Sequence, residues 1–217
     1  MWDDGSEWCF GCHDYTPPEG RNIVEKHLDK QKSSVLTKIV KLPEDAQKYL
    51  PVNVNSWLQK YNLTERELSV LNPLYSFERD LLIFPVYGPD GLLMYQGRYF
   101  GENVKHPKYL TYGAKDVLHI LGNDPETIVV TEDVISAVKV STVTSALPLW
   151  GSGIPLGLAR RLSDRFKRLG IWLDMDKAKE SLRMRSDLSP LFDDVFSVIT
   201  PKDPKEYNHE EIAGFLS

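Results

Sequence analysis

Residues 128–176 constrain this chain more than any other stretch, because strand-like runs alternate there with helical segments and an acid stands where two of the strands end. Ile128-Val129-Val130-Thr131 is a short apolar, β-branched run of the kind a buried parallel strand requires, and Glu132 follows at once. Asp133 to Lys139 reads as helical. Ala146 to Trp150 is a second apolar run, stopped by Gly151-Ser152-Gly153. Pro155 presets the first turn of another helix. That helix is expected to reach about Leu169, since Leu158, Leu162, Phe166 and Leu169 recur at spacings of four, four and three. Gly170 is expected to end it, Ile171-Trp172-Leu173 to form a third strand, and Asp174-Met175-Asp176 to sit at the strand's exit.

Strand-helix alternation of this kind predicts an α/β fold with a parallel sheet. Crossover helices start each strand from the same side, so Glu132 and Asp174 are expected at one edge of the sheet, the edge where open α/β sheets bind ligands. In extended geometry Asp174 and Asp176 would point to one side and Met175 to the other. Three converging carboxylates repel unless a cation holds them, and all-oxygen ligands suit Mg²⁺ or Mn²⁺. Taken singly, each acid has a plainer reading: Glu132 as an exposed strand end, Asp174 and Asp176 as caps of a helix starting near Lys177.

Together, the strand-end Glu132, the Gly151-Ser152-Gly153 turn and the strand-end Asp174-Met175-Asp176 resemble the TOPRIM domain of primases, topoisomerases and several nucleases. The resemblance implies that Glu132, Asp174 and Asp176 are catalytic and bind Mg²⁺. A fourth strand is expected at Val195–Thr200. After it, Lys202-Asp203-Pro204-Lys205-Glu206 resembles the Lys-Asp-Pro-x-Glu pattern of phage primases, which implies that Asp203 joins the metal site and that Lys202 lies at the nucleotide. One position departs from the family. Four residues after Glu132, on the same helical face, TOPRIM primases carry a second acid, and here Ser136 stands in its place. A hydroxyl adds no negative charge, so a second metal would be held more weakly.

The rest of the chain supplies context. Only two cysteines occur, Cys9 and Cys12, in Trp8-Cys9-Phe10-Gly11-Cys12-His13. A structural Zn²⁺ needs four ligands, so the pair is half a site. Residues 4–12 resemble the second half of the zinc ribbon of phage primases and primase-helicases, which leaves three readings of the missing pair: a reading frame that begins late, a split gene with the pair on another chain, or a relic knuckle. The expected organisation is a partial zinc knuckle at 1–20, a linker and small helical region at 21–74, a basic subdomain at 75–120 and the TOPRIM domain at 121–217. Helices are expected at Ser56–Tyr61 and Thr64–Asn72, the second opened by a capping box of Thr64 and Glu67. The helical region reads as a packing module.

Residues 81–87 and 92–100 flank an Asp90-Gly91 turn and predict a β-hairpin in a small α+β subdomain. Arg98, Lys105, His106, Lys108 and Lys115 follow among Tyr99, Phe100, Tyr109 and Tyr112, a mixture suited to single-stranded nucleic acid. The plainer reading is a basic loop whose tyrosines pack under the hairpin. The resemblance implies that Arg98, Lys108 and Lys115 meet template and nucleotide phosphates, while Gly151 and Gly153 let the backbone approach a phosphate. Net charge is −5 over 217 residues, so nucleic-acid binding would rest on local clusters. No apolar run long enough to span a bilayer and no signal pattern occurs, so a cytoplasmic protein with no membrane partner is expected.

The resemblance as a whole implies a phage-type DNA primase that joins ribonucleoside triphosphates into RNA primers on single-stranded DNA, in the host cytoplasm. No P-loop motif is present, so a helicase would be a separate partner. Two other readings remain open: a TOPRIM nuclease using the same carboxylates, and a non-catalytic template-binding subunit.

Overall fold

The apolar runs of the second half become a four-stranded parallel sheet. The computed structural model describes Glu7–Trp8, Tyr15–Thr16 and residues 40–217 apart from Val104 and Ser152. The chain divides into two compact units, Met1–Ile39 and Val40–Ser217. In the first, β1 (Glu7–Trp8) pairs antiparallel with β2 (Tyr15–Thr16). Cys9 and Cys12 lie outside the described residues, and so does most of the expected linker.

The second unit opens with two helices, α1 (Val52–Gln59) and α2 (Glu65–Leu71). The capping box of α2 forms: Glu67 N donates to Thr64 Oγ1, and Thr64 N donates to Glu67 Oε2 at 2.6 Å. An antiparallel sheet follows in the order β3 (Leu74–Ser76), β4 (Leu81–Gly88), β5 (Gly91–Tyr99), β6 (Tyr109–Gly113). The β4–β5 hairpin turns at Asp90-Gly91, where the φ of +119° at Gly91 is open to glycine at little cost. Tyr109–Gly113 is an edge strand rather than part of a loop. Its pairing with β5 brings Tyr112 onto Tyr95, ring centroids 4.4 Å apart.

The parallel sheet has the order β10 (Asp194–Ser197), β9 (Arg168–Trp172), β7 (Thr127–Thr131), β8 (Ser145–Pro148). Both faces are covered, as the continuous apolar strands require. Val129, Ala146 and Trp172 pack toward α3 (Val134–Val140) and α6 (His209–Leu216), in one core shared with α1, α2 and the antiparallel sheet. Ile128, Val130, Leu147 and Ile171 pack toward α4 (Leu156–Ser163) and α5 (Ala178–Leu188). Every residue of α3 is buried, Lys139 included, and its Nζ donates to the Tyr61 carbonyl at 2.9 Å. Among the described residues no helix is long and apolar enough to cross a membrane.

Two expected boundaries move. Helix α4 ends at Ser163, and Leu169 and Gly170 belong to β9. The four apolar residues that suggested a long helix are all buried, but only Leu158 and Leu162 lie in α4, because pairing of Arg168 with Thr127 takes the chain into the sheet. Gly170 is needed inside the strand: a Cβ there would lie 2.7 Å from the Phe196 ring and 2.9 Å from a Val129 methyl. Strand β10 is also shorter than expected, ending at Ser197.

Candidate active-site cleft

A cleft of about 320 Å³ opens where the carboxyl edge of the parallel sheet faces β5, β6 and α1. One wall is acidic, with Glu132, Asp133, Asp174 and Asp203. The other carries Arg98, Lys108, Tyr109 and Trp57.

Each acid has its own local cause. Glu132 leaves β7, and its carbonyl accepts from Gly151 N at 3.2 Å, tying it to the turn after β8. That turn is made by Trp150, a buried non-glycine residue at φ +56°, a conformation that persists only where surrounding structure enforces it. Asp133 is the N-cap of α3, and its Oδ1 accepts from Ile135 N and Ser136 N at 2.9 and 3.0 Å. Asp174 leaves β9. Asp203 precedes a 3₁₀ turn at Pro204–Glu206 and accepts from Met175 N at 3.1 Å.

Lys205 joins them. Its Nζ lies 3.0 Å from Asp133 Oδ2, 3.0 Å from Asp174 Oδ2 and 3.1 Å from Asp203 Oδ2, with the side chain 13% exposed. The two neighbouring carboxylates raise the Lys205 pKa against the pull of burial, so it stays charged. Burial first, and then the Asp133 charge, push the Asp174 carboxyl up to about 7 in spite of Lys205. Asp203 stays low, because the Met175 amide and Lys205 outweigh its burial. Burial and the adjacent Asp133 raise Glu132.

The opposite wall is built by cross-strand neighbours. Arg98 on β5 stands beside Tyr109 on β6, and its guanidinium donates to the Tyr109 hydroxyl at 2.6 Å. The same guanidinium lies 4.2 Å from the Trp57 ring centroid and 5.2 Å from that of Phe100. Cation–π contacts of this kind hold an arginine against the rings without neutralising it. Lys108 is exposed, 5.6 Å from the Tyr109 ring.

The structure therefore gathers Glu132, Asp174, Asp203, Arg98, Lys108 and Gly151 around one cleft. Asp176, Lys115, Gly153 and Lys202 do not line it. The extended geometry expected of Asp174-Met175-Asp176 is not adopted: Met175–Lys177 winds into a 3₁₀ turn, and Asp176 is turned outward, its side chain 73% exposed. Gly153 borders a separate shallow pocket with Ile154 and Arg183, and Lys202 lies over the Tyr207 ring. Ser136 is fully buried and donates to Asp133 Oδ2 at 3.0 Å, so it positions that acid. Asp133, in the stretch that reads as helical from the sequence, lies just before the helix begins. As an N-cap in extended backbone it faces the cleft.

Sequence reasoning missed Asp133, Lys205, Trp57 and Tyr61. The Asp-to-apolar step at Asp133-Val134 is an N-cap signal, and Trp57 and Tyr61 share one helical face at i, i+4. Nothing local marks Lys205.

The donor set suits a hard divalent ion only in part. Glu132 Oε2 and Asp174 Oδ1 are buried with no hydrogen-bond partner among the described residues, as two oxygens awaiting a cation would be. No group of three acidic, histidine or cysteine side chains among the described residues is arranged to hold a metal by itself. One Mg²⁺ shared between two carboxylates and a substrate's phosphates fits, since that ion is often held so. An all-protein cage does not.

No protein-family model matches the chain, and no curated protein matches it. Among solved structures, the zinc-binding and RNA polymerase domains of the Aquifex aeolicus primase match with a TM-score of 0.62 and 15% identity, over 98% of this chain and 73% of that one. The fold is primase-like. In this primase-like fold the cleft lies at the carboxyl edge of the parallel sheet, where Glu132 and Asp174 leave their strands.

Proposed function

We propose that the chain is a DNA primase of the phage type, with a TOPRIM domain at its core, joining ribonucleoside triphosphates into short RNA on a single-stranded DNA template. One observation carries the reading: a single cleft sets half-buried acids against an arginine held over an aromatic ring. Nucleotidyl transfer needs both, because a triphosphate must be gripped while the charge on its departing pyrophosphate is offset.

In this reading Arg98, fixed by Trp57 and Tyr109, grips phosphate, and Lys108 adds a mobile cation at the mouth. Tyr109, 41% exposed, offers a ring on which a template base can stack. Glu132 and Asp174 would hold a Mg²⁺ or Mn²⁺ ion that, when bound, supplies positive charge to the triphosphate. Asp203 shapes the site by fixing the Asp174–Met175 corner. Glu132 is alternatively the base that accepts the proton of an attacking hydroxyl, in which case it does not hold the ion. Cys9 and Cys12 would be half of a zinc site, and a helicase would deliver template, in the host cytoplasm.

A non-catalytic, template-binding role is the second reading, favoured by Lys205 within the acid cluster and Ser136 behind it. Incubation of the chain with Mg²⁺, labelled ribonucleotides and single-stranded DNA separates the readings. Oligoribonucleotides support the primase, shortened DNA a nuclease, and retention without chemistry the template-binding subunit.

A further inference from the structure

Carboxylates from three separate elements meet at one point, and an ammonium stands there. Asp133 caps α3, Asp174 ends β9 and Asp203 opens the turn at Pro204–Glu206, yet all three Oδ2 atoms lie within 3.1 Å of Lys205 Nζ. Oxygen donors gathered from distant parts of a chain are the surroundings that hard divalent cations take. The lysine is built in rather than draped across. Pro204 before it is buried, Glu206 N donates to the Asp203 carbonyl at 2.9 Å, and Tyr207 after it packs against Trp172 and Phe215. By contrast Lys167, paired with Glu126 at 3.2 Å, is 66% exposed.

The carboxylate oxygens divide cleanly. Asp133 spends Oδ1 on two helix amides and Oδ2 on Ser136 and Lys205. Asp203 spends Oδ1 on Met175 N and Oδ2 on Lys205. Only Glu132 and Asp174, of these four acids, keep a buried oxygen with no partner among the described residues.

We infer that Lys205 is the resident counter-ion of this cluster: its ammonium fills the inner cation position, so the site takes one divalent ion, at Glu132 and the remaining Asp174 oxygen, and not two. The inference rests on that part of the proposed function which puts a divalent ion at Glu132 and Asp174. Asp133 and Asp203 are then positioning residues for Lys205 and Asp174 and do not ligate the ion.

Titration of the full chain with Mn²⁺, followed by electron paramagnetic resonance without DNA or nucleotide, tests this apart from any polymerisation. The native chain should bind one ion. Asp174→Asn should weaken that binding by at least about tenfold, whereas Asp203→Asn should leave it within about threefold, a nearby charge being lost but no ligand. Lys205→Met should bind a second ion. Two ions on the native chain, none on it, or an Asp203→Asn loss as large as that of Asp174→Asn would overturn the inference, as would a folded Lys205→Met variant with no added ion. A Lys205→Met chain that folds only once Mn²⁺ is added supports it. If that variant folds under neither condition, the Asp203→Asn result decides. A chain that makes no RNA but shows this ion pattern removes the proposed reaction and leaves the role of Lys205 intact.

Discussion

The two walls of the cleft carry opposite charge and are assembled in opposite ways. The cationic wall is local: Arg98 and Tyr109 are partners on adjacent strands, and Trp57 reaches them from one helix. The acidic wall is assembled from the neighbours Glu132 and Asp133 after β7, from Asp174 after β9 and from Asp203 after β10, which meet because parallel strands end at one edge. The arginine keeps its charge available over aromatic faces. The acids are half-buried, crowded and in excess over Lys205, so their charge is held in place by packing and by one lysine. Local pairing thus leaves a cation exposed to the cleft, and long-range convergence gathers acids that lean on one lysine.

The largest effect that would sharpen this contrast is expected from Asp174→Asn. RNA synthesis should fall by about 10³-fold, while retention of single-stranded DNA stays within about twofold, since phosphate contacts come from the other wall. Equal loss of both, measured by product gels and filter binding, would remove the division of labour. Lys205→Met should come next, lowering unfolding free energy by about 3–5 kcal/mol in a urea titration without divalent ions, because it leaves buried carboxylates without their cation. No destabilisation would mean that the acid wall needs no counter-ion. Arg98→Ala should weaken DNA binding by about 1–2 kcal/mol and reduce the salt dependence by about one phosphate contact, read by fluorescence anisotropy over a salt series. Arg98→Lys should restore the charge but not the full affinity, because an ammonium does not stack flat on Trp57.

The smallest effect concerns His119, half-buried near Trp150, whose pKa burial lowers below 6.5. The unfolded chain therefore takes up this proton first as pH falls. Stability should drop from pH 6.5 down to the folded pKa and be unaffected above it. His119→Gln should flatten that part of the stability curve without altering the cleft, as equilibrium unfolding between pH 5 and 7 would reveal.

The α/β order, the Asp90-Gly91 hairpin and the α2 capping box were legible because each is written in neighbouring residues. The convergence of Glu132 with Asp174 was legible too, because strand direction follows from crossover topology. What escaped had causes beyond the local pattern. Leu169 and Gly170 continue a helical spacing yet lie in β9, since pairing with Thr127 outweighs propensity. Asp176 leaves the cleft because a 3₁₀ turn starts at Met175, before an extended exit could reach Asp176. Lys205 occupies the variable place in a five-residue pattern, and only the meeting of three distant acids gives it meaning.

Helix α3 has a further mechanical consequence. Its first residue is preceded by Asp133 on the acidic wall, and its buried Lys139 clasps the Tyr61 carbonyl, whose ring borders the cleft on the other side. Seven residues thus act as a calliper between the two jaws. Spreading them requires pulling an ammonium off a carbonyl inside the core, so the aperture is preset.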